Sequence, residues 1–191
     1  MANKIKYGIK NVYYAVATIA SNGSATYATP VALPGAVSLS MEAQGDANTF
    51  YADNIAYFVS QANNGYQGDL ELALIPDAFR KDILGEIETN NGKVLLEDAE
   101  ATPAHFALLF QFEGDVNGTR YCMYNCVAGR SSAASTTKAE SIEPQTETIQ
   151  VTATSVYNAS LDKDIVRAKT GDSTTTAVYN GWFSTVFVAT T

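Results

Sequence analysis

The run His105-Phe106-Ala107-Leu108-Leu109-Phe110-Gln111-Phe112-Glu113 alternates, placing Phe106, Leu108, Phe110 and Phe112 on one side of an extended chain. A period of two is what a half-buried strand requires. Gly114 to Gly118 follows and holds Asn117-Gly118, a dipeptide that tolerates the positive φ of a tight hairpin. Arg120 to Val127 reads as the returning strand and is rich in aromatic residues. After a polar stretch from Ser131 to Lys138, the segment Glu140 to Ile149 leads into a third strand. Strands joined in this way set the class as mainly β.

The same signals recur along the chain. Asn-Gly pairs stand at Asn22-Gly23, Asn64-Gly65, Asn91-Gly92, Asn117-Gly118 and Asn180-Gly181, and strand-like runs flank most of them. Val12, Tyr14 and Val16 alternate in Asn11 to Ile19, and Val37, Leu39 and Met41 in Ala36 to Ala43. Leu70, Leu72 and Leu74 alternate with Asp69, Glu71 and Ala73, and Ile149, Val151 and Ala153 with threonines and Gln150. Gly181 to Val188, with Trp182, Phe183, Val186 and Phe187, reads as a closing strand. One segment breaks the period. Phe79, Ile83, Leu84 and Ile87 are spaced as on a helix, with Pro76 at its start and Asn90, Asn91 and Gly92 at its end. The expectation is a β-sandwich or barrel with one flanking α-helix and extended loops or arms.

Three stretches fall outside this pattern: Ser21 to Ala28, Gln44 to Gly65 and Ser131 to Ala139. The second holds Phe50, Tyr51, Tyr57 and Phe58, too many aromatic residues for plain disorder. It is either a hairpin of the core sheet or an arm that docks on a neighbour. The whole chain, 1–191, reads as one domain, with 1–10 and 173–191 as candidates for arms or edge strands.

Charge is thin and acidic. Only 17% of residues are charged and the net charge is −8, which argues against ordinary nucleic-acid binding through basic patches. Low charge together with 11 Tyr and 8 Phe suits a surface partly covered by other subunits. Cys122 and Cys126, four apart on one regular strand, would share a face about 13 Å apart, too far for a disulfide. Two reduced thiols suit synthesis in a cytoplasm. Met1 to Lys10 has no apolar core of a signal peptide, and no apolar run is long enough to span a membrane. The Asn-x-Ser/Thr matches at Asn22, Asn117 and Asn158 therefore read as turns.

Reactive constellations are scarce. His105 is the one histidine, so any nucleophile–histidine arrangement must use it, and at the head of an apolar strand it reads as structural. Phosphate-binding loops and nucleophile elbows are missing, and Cys122, Cys126 and His105 make a poor zinc set. Asp162-Lys163-Asp164 opens like a calcium loop but lacks its glycine and closing glutamate. Acid pairs such as Asp69/Glu71 and Glu97/Asp98 read as a solvated face. The expectation is no catalytic residue, no metal and no cofactor.

A set of motifs, in order, resembles the major tail protein of long, non-contractile-tailed bacteriophages, in the branch related to staphylococcal and lactococcal phages. They are Tyr7 to Ala15, Phe50 to Ile55, Asn63 to Leu72, Pro76-Asp77 with Asp82 to Gly85, Phe106 to Phe110 with Arg120-Tyr121, Thr137 to Thr146 and Tyr179 to Phe183. Ala20 to Pro34 and Ser155 to Asp172 match less well. The resemblance implies a structural virion protein, made in the bacterial cytoplasm, whose subunits close into hexameric rings. Stacked rings form the tail tube, with a continuous barrel around a lumen that conducts double-stranded DNA into the host. It also implies tape-measure, initiator and terminator proteins as partners.

On that reading Glu42, Asp69 and Glu71 are candidates for acids facing the lumen, where they would repel phosphates. Phe50, Tyr51, Asp53, Tyr57 and Phe58 are the candidate ring-stacking interface, with Ser131 to Lys138 next. The alternative is a carbohydrate-binding or virion decoration sandwich, in which Trp182 and the tyrosines stack on sugars.

Overall fold

The computed structural model describes residues 5, 7–114, 118–133, 135–137 and 144–190. Asn117 of the proposed turn and the Glu140–Glu143 approach to the third strand lie outside them. The elements are β1 (Ile9–Ile19), β2 (Ala25–Tyr27), β3 (Val31–Ala32), β4 (Ala36–Ala43), β5 (Ala47–Ala52), β6 (Ile55–Gln61) and β7 (Tyr66–Leu72). A helix α1 (Asp77–Phe79) runs on as π-helix through Arg80–Leu84. Then come β8 (Ile87–Glu88), β9 (Leu95–Leu96), β10 (Phe106–Phe112), β11 (Arg120–Ala128), β12 (Glu147–Thr154), β13 (Val156–Asn158), β14 (Lys163–Ile165), β15 (Arg167–Lys169) and α2 (Thr176–Gly181).

One antiparallel sheet dominates, in the order β2-β1-β10-β11-β12-β7-β4, with β15 also on β11 and β3 also on β1. It does not close into a barrel: among the described residues β4 pairs with β7 alone. The fold is mainly β, as the alternation implies. Tyr14, Leu70, Leu72, Phe106, Leu108, Ile149 and Val151 line one face of the sheet, and Phe79 and Ile83 of the helix plug it. Phe79 meets Tyr14 and Phe106 edge-on, with ring centroids 5.1 and 5.7 Å apart. Arg80 holds the helix to the sheet, its guanidinium 3.1 Å from Glu147 and 3.1 Å from Glu86. The helix stops at Gly85, which takes a left-handed φ of 77°. It thus ends well before Asn90, and Ile87 becomes an exposed strand residue.

A second apolar cluster covers the other face of β1, β10 and β11. Ala15, Ala107, Leu109, Cys122 and Tyr124 lie under Trp182 and Val186. The expected closing strand from Gly181 to Val188 is therefore not formed. Residues 176–181 are helical, and those that follow fold down as a roof. Aromatic packing outweighs strand propensity here: Trp182 stacks on Phe187 and Phe183 on Tyr13. Trp182 Nε1 donates to the Tyr121 carbonyl, and Tyr124 Oη donates to the Phe187 carbonyl. Beneath this roof β10 is buried on both faces instead of half-buried.

Two bulges and one strand end correct three further expectations. In β11 the register passes from Phe106↔Cys126 to Leu108↔Met123, so β11 carries one residue more than β10. An extra residue flips the faces beyond it. Cys122 consequently sits under the roof and Cys126 in the main core, on opposite sides of the sheet. Both thiols are free. A similar shift between Ala36 and Ser38 leaves Val37 exposed. Leu74 is also exposed, because β7 ends at Leu72.

Candidate assembly surfaces

The roof covers only half of the outer face. Over β4, β7 and β12 no described residue covers that face, and register sets its side chains in rows: Ser38–Glu71–Thr148, Ser40–Asp69–Gln150 and Glu42–Gln67–Thr152. The partners of these residues point inward as Leu39, Met41, Leu70, Leu72, Ile149 and Val151. Glu42, Asp69 and Glu71, singled out in the sequence, thus share one outward face, and these strands place no Lys or Arg on it. Glu71 accepts hydrogen bonds from Thr146 Oγ1 at 2.6 Å and Ser38 Oγ at 2.7 Å. These two bonds, Thr146 first, favour its ionised form and hold its carboxyl below the usual range. Gly68 explains how closely the backbones pass here: a Cβ at that position would lie 1.7 Å from the Ser40 carbonyl oxygen.

The Gln44-to-Gly65 excursion is a hairpin. β5 and β6 pair only with each other. The hydrogen bonds Gln44 N to Gly65 O, Asn64 N to Gln44 O and Ala62 N to Asp46 O carry the β4–β7 ladder up to them. The result is one long ribbon, an extension of the core hairpin that leaves the body. It turns at Asp53-Asn54, both at positive φ (51° and 65°), between paired Ala52 and Ile55. That is the geometry of a two-residue primed turn. Asn64-Gly65, which looked like a turn, marks the bend where the ribbon departs. Phe50, Tyr51, Tyr57 and Phe58 are all exposed on the ribbon, with Asp53 at its tip. Ile55 and Val59 belong with them and were missed. The signal was the Asp53-Asn54 turn, which fixes the register.

The sheet end nearest the β10–β11 connection is held by an arginine clamp that sequence reasoning also missed. The Arg120 guanidinium lies 3.8 Å from the Tyr179 ring centroid and 4.9 Å from that of Phe183, and it donates to the Tyr179 carbonyl. Tyr179 Oη in turn donates to the Gly118 carbonyl at 3.0 Å. Asn180-Gly181 accordingly closes a helix and makes no hairpin.

Of the groups the sequence singled out for chemistry, His105 is hydrogen-bonded at the head of β10 and both cysteines are buried. Asn125 donates through Nδ2 to Thr154 Oγ1 and the Ser155 carbonyl, so its Oδ1 accepts from His105 Nδ1 at 2.7 Å. Burial pushes the Cys126 thiol up to about 12, and the Cys122 thiol up as well. Among the described residues no group of three or more His, Cys, Asp and Glu is placed to hold a metal ion. No helix among them is long and apolar enough to cross a membrane. Trp182 is buried, so it offers no platform for a sugar. Residues 131–133 and 135–137 are irregular, and the remainder of that polar stretch lies outside the described residues.

A sheet with an open polar face, a β4 edge that no other described strand pairs with and a projecting apolar ribbon defines a structural building block. The family model for phage tail tube proteins matches residues 2–182, and the chain belongs to that family, as a structural component of a virion tail. Among solved structures, a chain of the anti-feeding prophage baseplate, imaged by cryo-EM with six-fold symmetrisation, is similar at a TM-score of 0.48 and 9% identity. The match covers 91% of this chain and 99% of that one, a likeness too distant to inform the assembly. No curated protein matches in sequence.

Proposed function

We propose that this chain polymerises as stacked hexameric rings into the tube of a long, non-contractile phage tail, and that the tube conducts the genome into the host. The observation that carries this is the uncovered face of β4, β7 and β12, whose only charged residues are Glu42, Asp69 and Glu71. Turned toward a lumen, such a face repels phosphates, so duplex DNA slides past without binding. The unpaired edge of β4 is where a neighbouring subunit continues the sheet, which removes an edge prone to aggregation. The β5–β6 ribbon, with Phe50, Tyr51, Asp53, Tyr57 and Phe58, carries the contact to the next ring. A head-to-tail contact that closes by rotation gives the ring, and one that repeats axially gives the tube. Tape-measure, initiator and terminator proteins are its partners in the assembled tail.

Negative-stain microscopy of the purified protein tests this reading. Rings or tubes are the expected result. Protein that stays monomeric at high concentration with the tail initiator complex present overturns it. Double substitution of Asp69→Lys and Glu71→Lys tests the lumen assignment separately. Assembled particles with these changes are expected to eject DNA several-fold more slowly, and unchanged kinetics place both acids elsewhere.

A further inference from the structure

Asn-Gly is a reactive dipeptide as well as a turn signal. The glycine nitrogen can attack the asparagine side-chain carbonyl carbon, because no Cβ stands in its way. The reaction asks for a glycine N–H free of hydrogen bonds, an asparagine side chain free to turn onto it, and a backbone with room to move. Of the five pairs in the sequence, Asn117 lies outside the described residues, and the fold treats the other four differently.

Three of the four are held. Gly23 N donates to the Ala20 carbonyl at 2.9 Å, and Asn22 Oδ1 accepts from Ser24 N and Ser24 Oγ at 3.0 and 2.7 Å. Gly65 is buried, and its N–H donates to Asn63 Oδ1 at 3.1 Å while its carbonyl accepts from Gln44 N. Asn180 and Gly181 sit within α2, whose helical dihedrals turn the Gly181 nitrogen away from the side chain before it.

Asn91-Gly92 differs on every count. Both residues are exposed in the loop that joins β8 to β9. Thr89 N donates to the Val94 carbonyl at 2.9 Å and Val94 N to Thr89 Oγ1 at 3.0 Å, which fixes the base of the loop and leaves its crown to solvent. Thr89 Oγ1 also donates to the Asn91 carbonyl, at a long 3.4 Å. Among the described residues no hydrogen bond reaches the Gly92 N–H or the Asn91 side chain. Gly92 has a φ of 103°, and beyond its chain neighbours a Cβ there would meet nothing nearer than Val94 Cγ2 at 4.0 Å.

We propose that Asn91 is a site of spontaneous covalent modification in the folded protein, converted to aspartate and isoaspartate ahead of Asn22, Asn64 and Asn180. Hydroxide takes the Gly92 amide proton, the nitrogen bonds to Asn91 Cγ, and the Cγ–Nδ2 bond breaks. Ammonia leaves with a proton from water, which returns the hydroxide. Water then opens the succinimide. Cleavage at Cγ gives aspartate; cleavage at the backbone carbonyl gives isoaspartate, which reroutes the main chain through the side-chain carbon. Either product adds one negative charge to a chain already at −8, close to the Lys93–Glu88 ion pair at 3.2 Å. The proposal stands on the fold alone and holds whether or not the chain builds a tube.

Ageing the protein at mildly alkaline pH, folded and in denaturing urea, tests it. Trypsin cuts after Lys81 and Lys93, so the peptide 82–93 isolates this loop, and fragment spectra locate each converted asparagine. In urea the four sites are expected to convert at similar rates. In folded protein Asn91 should stay within about threefold of its unfolded rate, while Asn22, Asn64 and Asn180 slow at least about tenfold. Asn91→Gln, whose longer side chain closes the ring far more slowly, should abolish the first acidic band on isoelectric focusing and leave the melting temperature unchanged. Slowing of Asn91 to the level of the other three, or an acidic band that forms at the wild-type rate in Asn91→Gln, overturns the proposal.

Discussion

Single side chains set the strength of the main core. Phe79 is fully buried between Tyr14 and Phe106 and is the helix's chief contribution to that core. Phe79→Ala removes this contact and leaves a cavity, so the expected loss is about 3–5 kcal/mol in denaturant titration. Gly68→Ala acts by overcrowding: with a Cβ 1.7 Å from a carbonyl oxygen, β7 and β4 must separate. The expected cost is about 3 kcal/mol, read as a lower denaturation midpoint with an unchanged slope. The two cysteines give a chemical readout of the same rigidity. Burial raises both thiols, so neither forms thiolate near neutral pH. Alkylation by iodoacetamide at pH 8 is expected only at the rate of global unfolding; rapid labelling of native protein would contradict the burial of both.

At the scale of elements, the Arg120 clamp makes a separable prediction. Arg120→Ala should leave the main core intact while hydrogen exchange across residues 176–189 accelerates at least tenfold, because both ring stacking and the carbonyl bond are lost. The central strands were legible in the sequence, because Phe106, Leu108 and Phe110, and Ile149, Val151 and Ala153, alternate without interruption and one face is always buried. Bulges were not legible. Nothing local in Arg120 to Ala128 announces an extra residue, and so the faces of Cys122 and Cys126 could only come from pairing with β10. The roof was missed for a related reason: Trp182, Phe183 and Phe187 suit a strand until Tyr13 and Tyr124 supply a surface to pack on. For the candidate surfaces, alternation alone placed Asp69 and Glu71 on one outward side. It could not say that the β4–β7 hairpin continues into the ribbon, since that depends on the ladder through Gln44, Asp46, Ala62 and Gly65.

For the molecule as a whole, acidity is a condition of the open face as well as a feature of composition. Glu71 is held ionised by Thr146 and Ser38, so its carboxyl titrates lower when folded than when unfolded. A depressed carboxylate adds stability above its unfolded value and loses that contribution as pH falls through the folded one. Melting temperature is therefore expected to decline as pH drops below about 4, and Thr146→Ala should shrink the decline. The effect is small, because the group is solvent-exposed. The roof has a consequence for how subunits come into being. Residues 176–189 follow every strand they cover, so a growing polypeptide leaves the ribosome with Tyr13, Leu109 and Tyr124 bare and gains their cover last. Chains truncated before Thr176 are expected to precipitate, whereas a chain that carries residues 176–189 hides this sticky side before it offers its ribbon and open margin to its fellows.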